Sequence, residues 1–280
     1  MKLHAITCNT MRLDGGSMYG HVPKVLWEKW TPADDHNRIQ LACRSLFLQT
    51  DDGHNILFDV GTGNFFDPKL SSRYGIEGDF ELLNGLNNLG VSERDINIII
   101  LSHLHFDHAG GLLSAYDQGA QRLLFPNAKY YVSRAHWNRA CQPHFRERAS
   151  FIPSLMNLLE HSKRLVLVDD STHPDLNFGL TFDFSNGHTI GMMLSHLELP
   201  SGRLVYASDL IPGLPWVHLP VTMGYDRFSE LLVEEKEQLL KKLIREKGRL
   251  LFTHDLQTAC AYITQDANGR YVGQPTDLFP

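Results

Sequence analysis

The sequence predicts an α/β fold, with strand signals next to helix signals in a chain of globular composition. The run Ile98-Ile99-Ile100-Leu101 is short, apolar and β-branched, so it reads as a buried strand, and turn and helix signals follow it. Phe228 to Lys247 has the clearest helical period of the chain. Leu231, Leu232, Leu239, Leu240, Leu243 and Ile244 fall on one face, and the apolar strand Arg249–Thr253 comes next. Apolar content of 42% and charged content of 21% are ordinary for a globular protein with a sizeable core.

The chemistry concentrates in Ile96 to Gly111, INIIILSHLHFDHAGG. His103, His105, Asp107 and His108 are four ligand-type side chains placed where a strand ends and a helix begins, which is where α/β sheets carry their sites. Alternate residues of an extended segment point the same way, so His103 and His105 can face one cation, and Asp107 and His108, past the bend, a second. Burying such groups without partners would cost about 1–3 kcal/mol each. A metal site therefore explains the cluster better than packing does.

His103-x-His105-x-Asp107-His108 resembles the signature of the metallo-β-lactamase superfamily of hydrolases. The string DGGSMYGHVPKVLW adds a similarity to the lactonase-like members allied to N-acyl-homoserine lactonases. The resemblance implies an αββα sandwich, two mixed sheets flanked by helices, with a dinuclear metal centre. It also implies a later His, a bridging Asp and a final His.

Taken in order, residues 1–12 alternate loosely and read as a first strand. Leu13 to Leu41 has no clean period, and a long irregular segment of this kind is uncommon unless it is functional. Two readings are open for it: a pocket wall using Met18, Tyr19, Trp27 and Trp30, or an arm packed on the body or on a second subunit. Ser45–Thr50 and Asn55–Val60 read as strands joined by Asp51-Asp52-Gly53. Asp59 closes the second strand, and the resemblance places it beneath the metals. Phe80–Leu89 is helical in pattern, and Ser92 with Asp95 forms a box-like turn. Leu112–Tyr116 reads as helix and Lys129–Val132 as strand. Arg134–Arg148 is partly helical, interrupted by Pro143, and is a candidate lid; its His136 and His144 read as surface or packing residues. Ser150–His161 is a further helix, and Arg164–Val168 and Leu180–Phe184 are strands.

Gly187-His188-Thr189 then matches the superfamily position of the third ligand of the first metal, with Gly187 read as a tight-turn residue. Ile190–Leu199 reads as a strand, with His196 structural. Arg203–Ser208 ends at Asp209, which the resemblance makes the bridging carboxylate. After the helix 228–247, with Gly248 at its C-terminal cap, His254 takes the place of the final ligand. Residues 256–280 carry little signal. With no repeat, linker or low-complexity tract, the chain reads as one domain, 1–280.

The resemblance thus implies one metal held by His103, His105 and His188, another by Asp107, His108 and His254, and Asp209 between them. Such donors suit Zn, and Fe, Mn or Co accept similar sets. The expected chemistry is attack of a metal-bound hydroxide on an ester-type carbonyl, with Asp107 passing the proton on. Lactone opening leads, with thioesters and phosphoesters or phosphotriesters as alternatives and a non-catalytic metal scaffold behind them. Related lactonases carry a Tyr shortly after the bridging Asp. Here Leu210-Ile211-Pro212 follows Asp209, and Tyr225 is the substitute catalytic candidate. Oxygen-reducing relatives carry Glu at the position of His105, which argues against a redox role.

A net charge of −6 argues against nucleic-acid binding, and no apolar run reaches membrane-spanning length. Cys8, Cys43, Cys141 and Cys260 form no CxxC pair and read as reduced thiols of a cytoplasmic protein. A small-molecule ester or lactone is the expected partner, and a homodimer is compatible with the arm.

Overall fold

In chain order the elements are β1 (Lys2–Asp14), α1 (Gly15–Tyr19), α2 (Lys24–Trp27), β2 (Arg38–Gln49), β3 (Asn55–Phe58), α3 (Pro68–Arg73), α4 (Glu81–Asn88), β4 (Ile98–Ile100) and α5 (Phe106–Ala109). There follow β5 (Lys129–Ser133), α6 (Arg134–Cys141), α7 (Pro153–His161), β6 (Leu165–Val168), β7 (Leu180–Ser185), β8 (Met192–Leu199), β9 (Gly202–Tyr206), α8 (Ser229–Glu246), β10 (Arg249–Leu251), β11 (Cys260–Gln265) and β12 (Tyr271–Pro275). The structure, a computed structural model, describes residues 1–76 and 80–278.

The chain forms two compact units, with the boundary falling inside β1 and β2. The first comprises Met1–Met11 and Ala42–Asp169; the second comprises Arg12–Leu41 and the chain from Asp170 onward. The first sheet has the order β1-β2-β3-β4-β5-β6. β2 and β3 are antiparallel, and β3 through β6 are parallel. β3 and β4 are buried along their whole length, as central parallel strands are. α6 packs on β5 and β6.

The second sheet has the order β12-β11-β10-β9-β8-β7. β9 and β10 are parallel, and the remaining pairs are antiparallel. α8 lays Leu232, Leu239, Leu240 and Leu243 into the second unit's core and packs on β11.

Several expectations are corrected. Segment 13–41 is not irregular throughout: Asp14 caps α1 by accepting from the Ser17 N–H, and Met18, Tyr19 and Trp27 are buried. Leu112–Tyr116 is not a helix. α5 is a single turn, and 3-10 turns at Gly110–Leu112 and Tyr116–Gln118 follow it. Leu231 is exposed and Lys236 takes a core position. The left-handed residue ending α8 is Lys247, with φ 51°, rather than Gly248. Within the stretch past 256, unreadable from pattern, Cys260–Gln265 and Tyr271–Pro275 form the hairpin β11–β12.

Candidate functional site

In the first unit the ligand-type side chains sit just past β4. His105 is the extended residue capping α5, and Asp107 and His108 lie within that one turn. All of them, with His103, are buried. The His103 ring lies 4.5 Å from that of His105 and 4.1 Å from that of His108. Asp107 Oδ2 is 3.8 Å from His108 Nε2.

Asp59 organises this cluster from the end of β3. It holds φ 50°, an uncommon conformation for a residue with a side chain, of the kind that persists where the surroundings over-determine it. Its carboxylate accepts from the Ser102 N–H at 2.7 Å and the Ser102 hydroxyl at 2.6 Å, and it meets His108 Nδ1 at 2.9 Å. Ser102 Oγ is also 3.0 Å from His103 Nδ1. The two glycines after the motif have a steric reason. A Cβ on Gly110 would come within 2.3 Å of the Thr62 carbonyl, and one on Gly111 within 2.2 Å of the Val60 carbonyl.

His136 is not a surface residue. It is buried, and its Nε2 accepts the Leu104 N–H at 2.8 Å, between two candidate ligands. The stretch expected as a lid also delivers Glu147, 3.2 Å from His105 Nε2.

In the second unit His188 follows β7 after Gly187. A Cβ on Gly187 would lie 2.5 Å from Leu232 Cα in α8, so close packing, not turn geometry, demands the glycine. His188 Nδ1 meets Asp226 Oδ1 at 2.9 Å, and Asp226 Oδ2 accepts the Met223 N–H at 2.7 Å. Asp209 sits in a 3-10 turn after β9, next to Ser208 with φ 48°. Its two oxygens face different imidazoles: Oδ2 is 3.3 Å from His188 Nε2 and Oδ1 is 3.1 Å from His254 Nε2. His254 lies beyond β10, its N–H donating to the Pro212 carbonyl at 2.8 Å. His196 is buried against Asp183 at 2.9 Å, in keeping with a structural role.

Tyr225, half-buried, precedes Asp226. The loop that carries both is tied down by Lys236 of α8, whose buried ammonium donates to the carbonyls of Trp216 at 3.1 Å and Val221 at 2.6 Å. Burial pushes this lysine down to about 7, partly offset by Asp226. Trp216 stacks on Tyr19 at 4.5 Å, Tyr19 stacks on Trp27 at 5.4 Å, and Trp216 Nε1 donates to the Met18 carbonyl at 3.0 Å. These rings are core rather than pocket lining, apart from Trp216. Together with Trp30, Leu214, Pro215, Leu256 and His254, it borders a cavity of about 350 Å³ within this unit.

Pattern reading of the sequence missed Asp226, Glu147 and Lys236. Asp226 was adjacent to a residue already singled out. Glu147 and Lys236 have no local signal, since a carboxylate in a polar stretch and a lysine in an amphipathic helix both read as surface.

The donor chemistry fits divalent cations. Imidazoles and carboxylates are the common ligands of such ions. The non-ligating nitrogen of a metal-binding His is usually held by a carboxylate or other polar group, and His103, His108 and His188 each have Nδ1 so held, by Ser102, Asp59 and Asp226 respectively.

Comparison with known proteins agrees with this chemistry. The family model for the metallo-β-lactamase superfamily matches residues 38–254, and the chain belongs to that superfamily. It is a metal-dependent hydrolase built on the family's α/β sandwich. Among curated relatives, an N-acyl homoserine lactonase of Bacillus sp is 26% identical over 224 residues, 75% of this chain and 80% of that one. Another, from Bacillus cereus, is 24% identical over 241 residues, 79% and 84% of the two chains. Among solved structures, a probable metal-dependent hydrolase from Staphylococcus aureus superposes with TM-score 0.87 at 26% identity, covering 99% of this chain and 98% of that one. A dizinc quorum-quenching lactonase in complex with a product gives TM-score 0.79 at 24% identity, covering 99% and 95%, and speaks to fold alone.

Proposed function

We propose that this hydrolase uses a dinuclear metal centre to open lactones of the acyl-homoserine lactone kind. On this reading the two units are halves of one domain. As the family resemblance implies, His103, His105 and His188 form one ligand set, Asp107, His108 and His254 another, and Asp209 is shared between them. The observation that carries the reading is the Asp209 carboxylate, which turns one oxygen to His188 and the other to His254. Structural zinc sites are usually single and four-coordinate, so a carboxylate placed between two imidazoles favours a catalytic pair over a scaffold. Zinc suits the donors best, with Fe, Mn or Co as the alternatives.

When bound, the two cations supply an acidified water and a positive charge for the carbonyl oxygen that becomes negative during attack. The chain does the rest. Asp59 and Asp226 keep two imidazoles in one tautomer and orientation. Asp107 takes the proton released by attacking water and carries it towards the leaving oxygen. Tyr225 steadies the ring oxygen with a hydrogen bond while Asp107 delivers the proton to it, standing in for the tyrosine absent after Asp209. The cavity beside His254 takes the apolar part of the substrate. Its walls favour a lactone or thioester over a phosphomonoester, which would call for several Arg or Lys, whereas Arg12 is the one such residue among its lining. The lactonase identity of the curated relatives supports the same choice. A cytoplasmic location is in keeping with four free cysteines, and no helix among the described residues is long and apolar enough to cross a membrane.

The test is a substrate panel on metal-loaded protein, with lactones, thioesters, phosphotriesters and β-lactams run side by side and metal measured on the same sample. Preferential lactone turnover is expected, and Tyr225→Phe should lower kcat on lactones with metal content unchanged. Activity on none of these esters would remove the catalytic reading. Unchanged kinetics in Tyr225→Phe would remove that residue from the mechanism.

A further inference from the structure

We propose that Glu147, backed by Arg139, is a positioning residue that fixes the imidazole of His105 for metal binding. This rests on the dinuclear reading above. Glu147 lies in the polar stretch after α6, yet its side chain is only 2% exposed. A buried carboxylate is costly unless it is paired and hydrogen-bonded. Both oxygens of Glu147 are committed: Oε1 lies 3.2 Å from His105 Nε2, and Oε2 accepts from Arg139 Nε at 2.6 Å. His105 is thereby held differently from its neighbours. His103 and His108 are held through Nδ1, leaving Nε2 to face a ligand, whereas His105 is held through Nε2 and offers Nδ1.

The surroundings restrict any alternative. Phe151 meets the His105 ring edge-on, with centroids 4.9 Å apart, and a backbone bridge pairs His105 with Phe151. The same segment therefore packs the ring, pairs its backbone and supplies the carboxylate that selects which nitrogen carries the proton. Arg139, reaching in from α6, pairs with Glu147 and stops it from turning away. Losing Glu147 lets the ring present either nitrogen, and the first ligand set loses its fixed donor.

The experiment is zinc titration of the metal-stripped full-length chain against a competing chelator, for wild type, Glu147→Gln, Arg139→Gln and the double variant. Glu147→Gln should weaken one of the two zinc equivalents about 10–100-fold, with the melting temperature of the stripped chain close to wild type. Arg139→Gln should act in the same direction but less, and the double variant should be no worse than Glu147→Gln, because the two act through one contact. Nitrogen NMR of the zinc-loaded wild type should report a proton on His105 Nε2, lost or exchanging in Glu147→Gln. Zinc binding by Glu147→Gln within about twofold of wild type overturns the proposal and leaves the dinuclear reading standing. Wild type that takes up no stoichiometric zinc overturns both. If Glu147→Gln does not fold, Arg139→Gln alone decides: wild-type affinity and an unchanged His105 signal sink the proposal, and weakened affinity supports it.

Discussion

In the first unit, four candidate ligands come from one stretch, and a single carboxylate at the end of β3 steadies Ser102 and His108 together. In the second unit, His188, Asp209 and His254 come from three separate strand ends. His188 depends on Asp226, and the loop bearing Asp226 is tied to Lys236 in α8. The first arrangement is built mostly from neighbours in sequence; the second exists only once the sheet and α8 have packed. Both place a residue with positive φ beside the site, Asp59 in one and Ser208 in the other. Local backbone strain is thus common to the two, and the difference lies in how far the supporting contacts reach.

The comparison breaks most readily at the carboxylates. Asp59→Asn and Asp226→Asn should each weaken metal binding about 10–100-fold, the usual range for the partner of a ligating imidazole. Asp59→Asn should also lower the stability of the metal-stripped chain more than Asp226→Asn does, because Asp59 accepts both the buried N–H and the hydroxyl of Ser102 whereas Asp226 accepts one backbone N–H, that of Met223. Chelator competition and thermal melts check both, and equal melting temperatures for the two variants would erase the distinction drawn here.

A second effect isolates the long-range support. Lys236 ionises near 7 in the folded chain and near its ordinary value of 10.5 when unfolded. Between those values the unfolded chain binds more protons, so stability must rise with pH, by up to ~1.4 kcal/mol per pH unit from this group. Urea unfolding of the stripped chain across that range should give a steeper rise for wild type than for Lys236→Met, and identical slopes would contradict the buried-ammonium account.

The smallest effect concerns the cavity wall. Trp216 is locked in the ring stack, whereas Trp30 is 44% exposed and only tilts against Tyr19. Trp30→Ala should raise KM for long-chain lactones a few-fold, with little change for short ones, since a hydrophobic contact of this size discriminates by about 1–3 kcal/mol at most. Steady-state kinetics over a chain-length series measure this, and a uniform change across the series would exclude Trp30 from chain recognition.

How much of this was legible in the sequence follows the same division. β3, β4, α8 and β10 were readable from short-range hydrophobic period. The His103–His108 cluster was readable because its ligands are contiguous. His188, Asp209 and His254 are found through family resemblance and strand order, and the one local signal is Gly187 before His188 at a strand end, which His196, paired with Asp183, lacks. Asp226, Glu147 and Lys236 were beyond reach because their meaning depends on what tertiary packing sets against them. The helix expected at Leu112–Tyr116 failed for a related reason: Gly110 and Gly111 are needed where the Val60–Thr62 backbone crosses, and the chain leaves α5 in tight 3-10 turns.

The central claim is a pair of cations joined by Asp209, and counting metal in Asp209→Asn tests it most directly. Wild type should carry two equivalents per chain, and the variant should lose metal and lactone turnover together, turnover by about 10²–10³-fold or more. A variant that retained one equivalent and hydrolysed lactones at the wild-type rate would contradict the shared-carboxylate centre.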